Sequence, residues 1–152
     1  TTNHEILDHY EEGTWTPVLK GGSANPTGYS LTVNQSTYTR IGRHVTVSTY
    51  VAWDGNGSGA SGATLIGGLP FNIQSTQASY GGAAIGFVKL PANVLSTTTC
   101  IAGYPHSGAA NLHMYRIPAC TTAAEEGGTI ESANWFNSFA GYISFTMSYE
   151  TA

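Results

Sequence analysis

The feature that most constrains the fold of this chain is an alternation of apolar and polar residues with a period of two. It is clearest between Arg43 and Trp53 and again in the last segment. The apolar face of the first segment consists of Val45, Val47, Val51 and Trp53 with Thr49 among them, opposite His44, Thr46, Ser48 and Tyr50. The apolar face of the last segment consists of Phe139, Ile143, Phe145, Met147 and Tyr149, opposite Tyr142, Ser144, Thr146 and Ser148. Such alternation predicts β-strands with one face buried and one exposed.

Turn-forming dipeptides divide the rest of the chain into further short runs. Shorter strands are predicted at 14–20, 29–34, 36–41, 63–67, 83–90, 94–103 and 111–117. Gly-Gly, Asn-Pro and Asp-Gly pairs between these runs are typical turn residues. The helical candidate covers Glu131 to Ser138. Many short strands at this spacing favour an all-β fold, an antiparallel β-sandwich or jelly roll.

The composition is even from end to end, which predicts one domain in the 152 residues. Residues 1–13 stand apart as a lead-in or linker, because they carry four of the nine acidic residues. Residues 14–152 are predicted to form the β-sandwich domain. The chain begins at Thr1 rather than at a Met, which predicts a fragment of a longer protein. Aromatic residues make up 11% of the chain, so disorder is not expected.

Charge and cysteine usage argue against several partners and cofactors. The five Lys and Arg are scattered and the formal net charge is −4, whereas a nucleic-acid-binding protein needs clustered cations. No apolar run approaches the roughly 20 residues that span a bilayer, so membrane insertion is not expected. Cys100 and Cys120 lack further Cys or His at ligand spacing, so no metal site or other cofactor is predicted. Both are expected to be free, buried thiols.

Three segments carry a resemblance to a known family. They read LDHYEEGTWTP at 7–17, YTRIGRHVTV at 38–47 and GLPF at 68–71. The first resembles the L-D-x-Y-E-E-G-T-W-T-P segment that opens the C-terminal domain of bacteriophage tail-fibre and tailspike proteins. The other two are similar to the Y-T-x-I-G-x-x-V-x-V strand and the G-L-P-F turn of that family, in the same order. The closing aromatic strand also fits, whereas residues 72–138 match no motif of the family.

The resemblance implies a β-rich homotrimer at the far end of a tail fibre or tailspike. It implies a location in the virion, after synthesis in the bacterial host cytoplasm, with the rest of the fibre protein N-terminal to this segment. It also implies host attachment through a bacterial surface polysaccharide or lipopolysaccharide. The charged fraction is 9%, against roughly 25% in an average soluble domain. That value fits a trimer, because an interface buries apolar faces that a monomer would have to cover with charge.

Catalysis is not expected in this domain, although many tailspikes cleave polysaccharide. Glycoside hydrolysis needs two carboxylates placed roughly 5–10 Å apart across the scissile bond. Between Gly13 and Ala124 the sequence contains one carboxylate, Asp54. The G-x-S-x-G and H-E-x-x-H motifs are absent, and no glycine-rich phosphate-binding loop is present. The sequence therefore predicts binding rather than an enzyme.

Binding of a glycan calls for aromatic rings beside amide, hydroxyl or charged groups, on loops held by a rigid scaffold. The candidates form three groups: Trp53, Asp54 and Asn56; Tyr104 and His106; and Trp135 and Asn137. Trp53 has a competing interpretation, because its place beside Val51 on the apolar face favours packing in the core. Tyr104 and His106 flank a proline and precede a Gly-containing loop, which favours exposure.

Two functions of different class stay open. One is a receptor-binding domain that contacts a host glycan as a homotrimer. The other is a structural cap that trimerises or protects the fibre without touching the receptor. Loops at 53–63 and 103–111 are long enough for recognition, which favours binding. A third interpretation, a carbohydrate-binding module attached to a bacterial enzyme, has a similar composition but does not require the segment at 7–17.

Overall fold

A computed structural model describes residues 9–75, 81–92, 100–106, 108–117 and 128–151. Within this part of the chain there are ten strands and a short helix. The strands are β1 (Tyr10–Thr14), β2 (Val18–Gly21), β3 (Leu31–Ile41), β4 (His44–Asp54), β5 (Thr64–Gly67), β6 (Ala83–Lys89), β7 (Cys100–Pro105), β8 (Asn111–Ile117), β9 (Gly128–Thr129) and β10 (Ala140–Glu150), and the helix is α1 (Ser132–Phe136). The pairings between these strands are all antiparallel. The predicted all-β, antiparallel class is confirmed.

The strands form one curled sheet whose two halves enclose the core. Nine strands follow the order β1-β3-β4-β10-β6-β7-β8-β5-β2, and β9 pairs with β8. We call β1-β3-β4-β10-β6 the long layer and β7-β8-β5-β2 the short layer. Among the described residues the layers are joined by the pair Ala83 and Gly103. The inner faces of both layers contribute to one hydrophobic cluster, so the fold is sandwich-like.

The centre of the long layer follows the predicted alternation. Strands β4 and β10 pair along their whole length, from Asp54 opposite Ala140 to His44 opposite Glu150. The predicted apolar positions Val45, Val47, Val51, Trp53, Ile143, Phe145, Met147 and Tyr149 are buried, whereas Phe139 is half-buried and precedes β10. Thr49 lies among them, and its hydroxyl is hydrogen bonded to the Ser36 hydroxyl at 2.5 Å. That bond satisfies a polar group that would otherwise be costly to bury.

Several predicted strands have different boundaries in the structure. The run at 14–20 is interrupted at 15–17, because Pro17 has no N–H to donate to a neighbouring strand. Residues 10–14 pair with β3 instead, so the end of the polar lead-in belongs to the sheet. The runs at 29–34 and 36–41 are one strand, β3, with a register shift between Asn34 and Thr37. Gln35 lies within this irregularity at a φ of 52°.

The segments that carry the family resemblance meet at one corner of the sandwich, around Phe71. The Phe71 ring packs edge to face on Tyr38 at 5.5 Å, and the Arg40 guanidinium lies 4.7 Å above the same ring. Tyr38 donates its hydroxyl to Glu11 of β1, and Tyr149 of β10 donates its hydroxyl to the Phe71 carbonyl at 3.2 Å. Burial raises the pKa of Tyr149 to about 12. This corner ties β1, β3, the G-L-P-F turn and β10 together.

The remaining predictions about the fold have mixed outcomes. The predicted helix is present as α1, and Trp135 and Phe136 on it are 0% exposed. Cys100 is a free thiol but is exposed, so the expectation of burial is wrong for it; Cys120 lies outside the described residues. No helix in the described ranges is long and apolar enough to cross a membrane.

Candidate functional site

Two of the predicted binding residues lie in the core. Trp53 is 3% exposed and Trp135 is 0% exposed, and their rings meet edge to face at 5.6 Å. Trp135 donates its indole N–H to the backbone carbonyl of Lys89 at 3.1 Å. The ring faces are therefore used in packing between β4 and α1 and are not available at the surface described here. Both residues are left out of the candidate site.

Three predicted polar residues, Asp54, Asn56 and Asn137, form hydrogen bonds within the protein. One Asp54 carboxylate oxygen accepts the backbone N–H groups of Ser30 and Asn56, both at 3.1 Å, and the other accepts the Asn56 side-chain amide at 2.8 Å. The bond from the Asn56 backbone, followed by that from Ser30, lowers the pKa of Asp54. A general acid of a glycosidase needs the opposite shift. Asn137 holds both the N–H and the carbonyl of Ala60, at 3.0 and 3.1 Å.

The other two predicted residues belong to an aromatic cluster on the outer face of the short layer. Tyr104 and His106 meet His113 and Tyr115, and we call these four residues the His–Tyr surface. The rings of His106 and His113 are stacked at 4.6 Å, and Tyr104 lies 5.2 Å from His113 and 5.6 Å from Tyr115. His106 is exposed, and the other three side chains are half-buried. The strand pattern thus brings two predicted residues together with two that the sequence analysis missed.

The register of β7 and β8 produces this cluster. Tyr104 lies directly opposite His113, and Ala102 lies opposite Tyr115, so Tyr104 and Tyr115 are diagonal neighbours. The adjacent positions in both strands, including Gly103 and Leu112, are buried on the inner face. Because side chains alternate between the two faces of a strand, Tyr104, His113 and Tyr115 must point outward. Residues 111–117 are predicted as a strand, and their alternation is the signal that could have revealed His113 and Tyr115.

Electrostatics within the cluster favour a neutral His113. Burial is the main cause that lowers its pKa, and a positive charge on the adjacent His106 lowers it further. The Tyr104 hydroxyl lies 3.4 Å from Nδ1 of His113, a long hydrogen bond whose direction depends on the tautomer. A neutral imidazole offers one donor and one acceptor, and each tyrosine adds a hydroxyl. The surface therefore combines aromatic faces with groups that pair with hydroxyls.

The long layer carries a second aromatic feature, created by a bulge in β6. Ser144 of β10 pairs with Phe87 and Phe145 pairs with Ile85, so Gly86 is an extra residue in β6. Unbroken alternation would place Phe87 on the same inner face as Ile85. The bulge turns Phe87 outward, where its side chain is 57% exposed.

Phe87 is the end of a stack of three rings on the outer face of the long layer. It stacks on Tyr142 at 4.7 Å with an interplanar angle of 12°, and Tyr142 stacks on Tyr50 at 6.1 Å and 25°. We call Phe87, Tyr142 and Tyr50 the long-layer stack. Beside it lies an open cavity of about 260 Å³, lined in part by Ser144 and Thr146. This face is rich in aromatic rings and hydroxyl groups, and the three rings are stacked on one another.

The fold and these two surfaces are those of an antiparallel β-sandwich that presents aromatic groups on both outer faces. Such a scaffold suits non-covalent recognition, because rigid strands fix the positions of the rings. Comparison of the chain with family models, with curated proteins and with solved structures found no match in any of the three.

Proposed function

We propose that this chain is the receptor-binding domain of a bacteriophage tail fibre or tailspike, a non-enzymatic module that recognises a host surface glycan as a homotrimer. The His–Tyr surface is the observation that carries the proposal. Sugar rings pack their C–H groups against aromatic faces, and their hydroxyls pair with planar polar groups. The resemblance of residues 7–17, 38–47 and 68–71 to the family supplies the virion context, the rest of the fibre as covalent partner and the bacterial polysaccharide or lipopolysaccharide as ligand.

The test is a glycan array probed with the purified domain, followed by titration of the best ligand. Tyr104→Ala and Tyr115→Ala are each expected to weaken binding about tenfold, because each removes one ring contact. Tyr10→Ala is the control, since it removes an exposed tyrosine on β1 that belongs neither to the His–Tyr surface nor to the long-layer stack. Circular dichroism establishes that each variant is folded. Unchanged binding by both folded short-layer variants would remove the His–Tyr surface from the proposal.

The second candidate function is a structural cap that trimerises the fibre without contacting the receptor. The long-layer stack favours it, because an exposed phenylalanine at the end of a stack gains most when another surface covers it. The same array separates the two functions. A trimer that binds no glycan supports the cap, whereas a trimer that binds through Tyr104 supports the receptor-binding domain.

A further inference from the structure

Lys20 is the cation that lies on the same outer face as the His–Tyr surface. It is on β2, opposite Leu65 of β5, which is in turn opposite His113 of β8. Its Nζ donates to the side-chain carbonyl of Asn111 at 3.3 Å. Asn111 begins β8, and its backbone carbonyl accepts the N–H of His106 at 3.0 Å. The ammonium group is therefore held over β8, next to the residues that form the aromatic cluster.

A missing side chain at Gly67 allows Lys20 to reach Asn111. Gly67 lies between Val18 of β2 and Asn111 of β8 in the sheet. A Cβ atom at this position would lie 2.8 Å from Cδ of Lys20 and 2.9 Å from Oδ1 of Asn111. Both distances are too short for non-bonded contact, so any larger residue would displace the lysine or the amide. Because Gly67 has no side chain, the Lys20 side chain can pass over β5 toward the His–Tyr surface.

Lys20 places a positive charge beside the aromatic residues of this face. The formal net charge is −4, yet none of the four strands of the short layer contains an Asp or a Glu. The positive charge that is held next to the aromatic cluster is that of Lys20, whose Nζ donates to Asn111 of β8. In the long layer, by contrast, β1, β4 and β10 all contain carboxylates. Lys20 can therefore attract an anion close to the aromatic rings.

We propose that the ligand of the His–Tyr surface is a saccharide that carries an anionic group, either a carboxylate or a phosphate ester. Lys20 and the amide N–H groups of Asn111 bind the anion, and Tyr104 and Tyr115 pack against the sugar ring. This inference rests on the proposed function and adds the chemical class of the ligand. A charge-assisted hydrogen bond from an ammonium group is about twice as strong as a neutral one, so Lys20 is expected to decide the preference.

The test uses two pairs of ligands that differ only in charge. One pair is a glucuronic-acid-containing tetrasaccharide and its carboxyl-reduced counterpart, and the other is a phosphorylated trisaccharide and its dephosphorylated form. Calorimetric titration of the whole chain is expected to give tighter binding for the charged member of a pair. Lys20→Gln is expected to reduce that affinity about tenfold and to leave the neutral member unaffected. The pair that shows the preference identifies a carboxylate or a phosphate as the anion.

Two further variants make the test specific. Asn111→Asp keeps Lys20 but places a carboxylate next to its ammonium group. It is expected to reduce the affinity for the charged ligand as Lys20→Gln does. Lys89→Gln is the control, because Lys89 is an exposed lysine on β6 in the long layer and is expected to have no effect. Binding of neutral and charged ligands with equal affinity, unaffected by Lys20→Gln, overturns the inference but leaves the proposed function intact. If no ligand binds in the titrations or on the glycan array, both this inference and the proposed function are overturned.

Discussion

His113 links the stability of the fold to pH, because burial and the neighbouring His106 lower its pKa in the folded state. An unfolded histidine titrates near pH 6.5. Below that value the unfolded chain binds a proton that the folded chain excludes, so stability is complete above about pH 6.5 and falls as the pH decreases. We expect the urea concentration at the midpoint of unfolding to decrease when the pH is lowered from 7.5 to 5. His113→Gln is expected to reduce this dependence, whereas His44→Gln, at an exposed position on β4, is expected to keep it. If the urea midpoint of the wild type, His113→Gln and His44→Gln depended equally on pH, His113 would not be the source of the dependence.

At the scale of single residues, the sequence predicted the part of the site that a local pattern can reveal. Tyr104 and His106 flank Pro105 before a glycine-containing loop, and that context favoured exposure; His106 is exposed, whereas Tyr104 is half-buried. The alternation of β8 places His113 and Tyr115 on one face, but their contact with Tyr104 depends on the pairing of β8 with β7, which a single sequence does not specify. Trp53 illustrates the limit of residue type as a guide. Its ring suits a sugar, but its alternation with Val51 places it in the core.

At the scale of elements, two glycines with positive φ allow the cost of a strained backbone conformation to be distinguished from the cost of a steric clash. Gly42, in the turn between β3 and β4, has a φ of 59°, and an added Cβ would meet nothing within 4 Å. Gly68, which opens the G-L-P-F turn, has a φ of 83°, and an added Cβ would lie 2.1 Å from the Thr16 carbonyl oxygen. Gly42→Ala is therefore expected to cost about 1–2 kcal/mol from conformation alone.

Gly68→Ala is expected to cost more, because the turn must also move away from the Thr16 carbonyl. Overpacking of this kind adds about 1–3 kcal/mol to the conformational cost. Urea unfolding of the two variants measures the difference directly. If Gly42→Ala and Gly68→Ala lowered the free energy of unfolding equally, the close approach of residues 16 and 68 would play no part in stability.

The strands that the sequence predicted well are those buried on one face only. β4 and β10 alternate strictly, so their faces and extents could be predicted to within a residue or two. The predicted run at 83–90 also became a strand, but its facing could not be predicted, because the bulge at Gly86 turns Phe87 outward. A glycine indicates that a bulge is sterically possible and does not say that one is present. The strand order of the sheet, likewise, depends on long-range pairing that no local pattern encodes.

At the scale of the whole molecule, the two outer faces differ in chemistry, and this difference divides the proposed roles between them. The short layer carries the imidazoles and Lys20 without a carboxylate in its strands. The long layer carries hydroxyl groups, such as the hydrogen-bonded pair Thr46 and Ser148 at 2.8 Å, together with the long-layer stack. A face with exposed rings and hydroxyl groups suits contact between subunits, because aromatic residues are enriched in such interfaces and burial of an exposed ring is favourable. Recognition and assembly can then operate from opposite sides of one sandwich.

This division makes the solution mass the decisive measurement for the proposed trimer. We expect light scattering to give three times the 15.9 kDa mass of one chain. Phe87 is 57% exposed in the single chain, and burying a phenylalanine side chain contributes about 1.5–3 kcal/mol. Phe87→Ser is therefore expected to shift the mass toward that of the monomer, because each trimer would lose three buried phenylalanine side chains. Ile117→Ser, which alters an exposed apolar residue of the short layer, is expected to leave the mass unchanged. A monomeric wild-type chain would contradict assembly through the long layer, and a trimer insensitive to Phe87→Ser would place the subunit contact on another face.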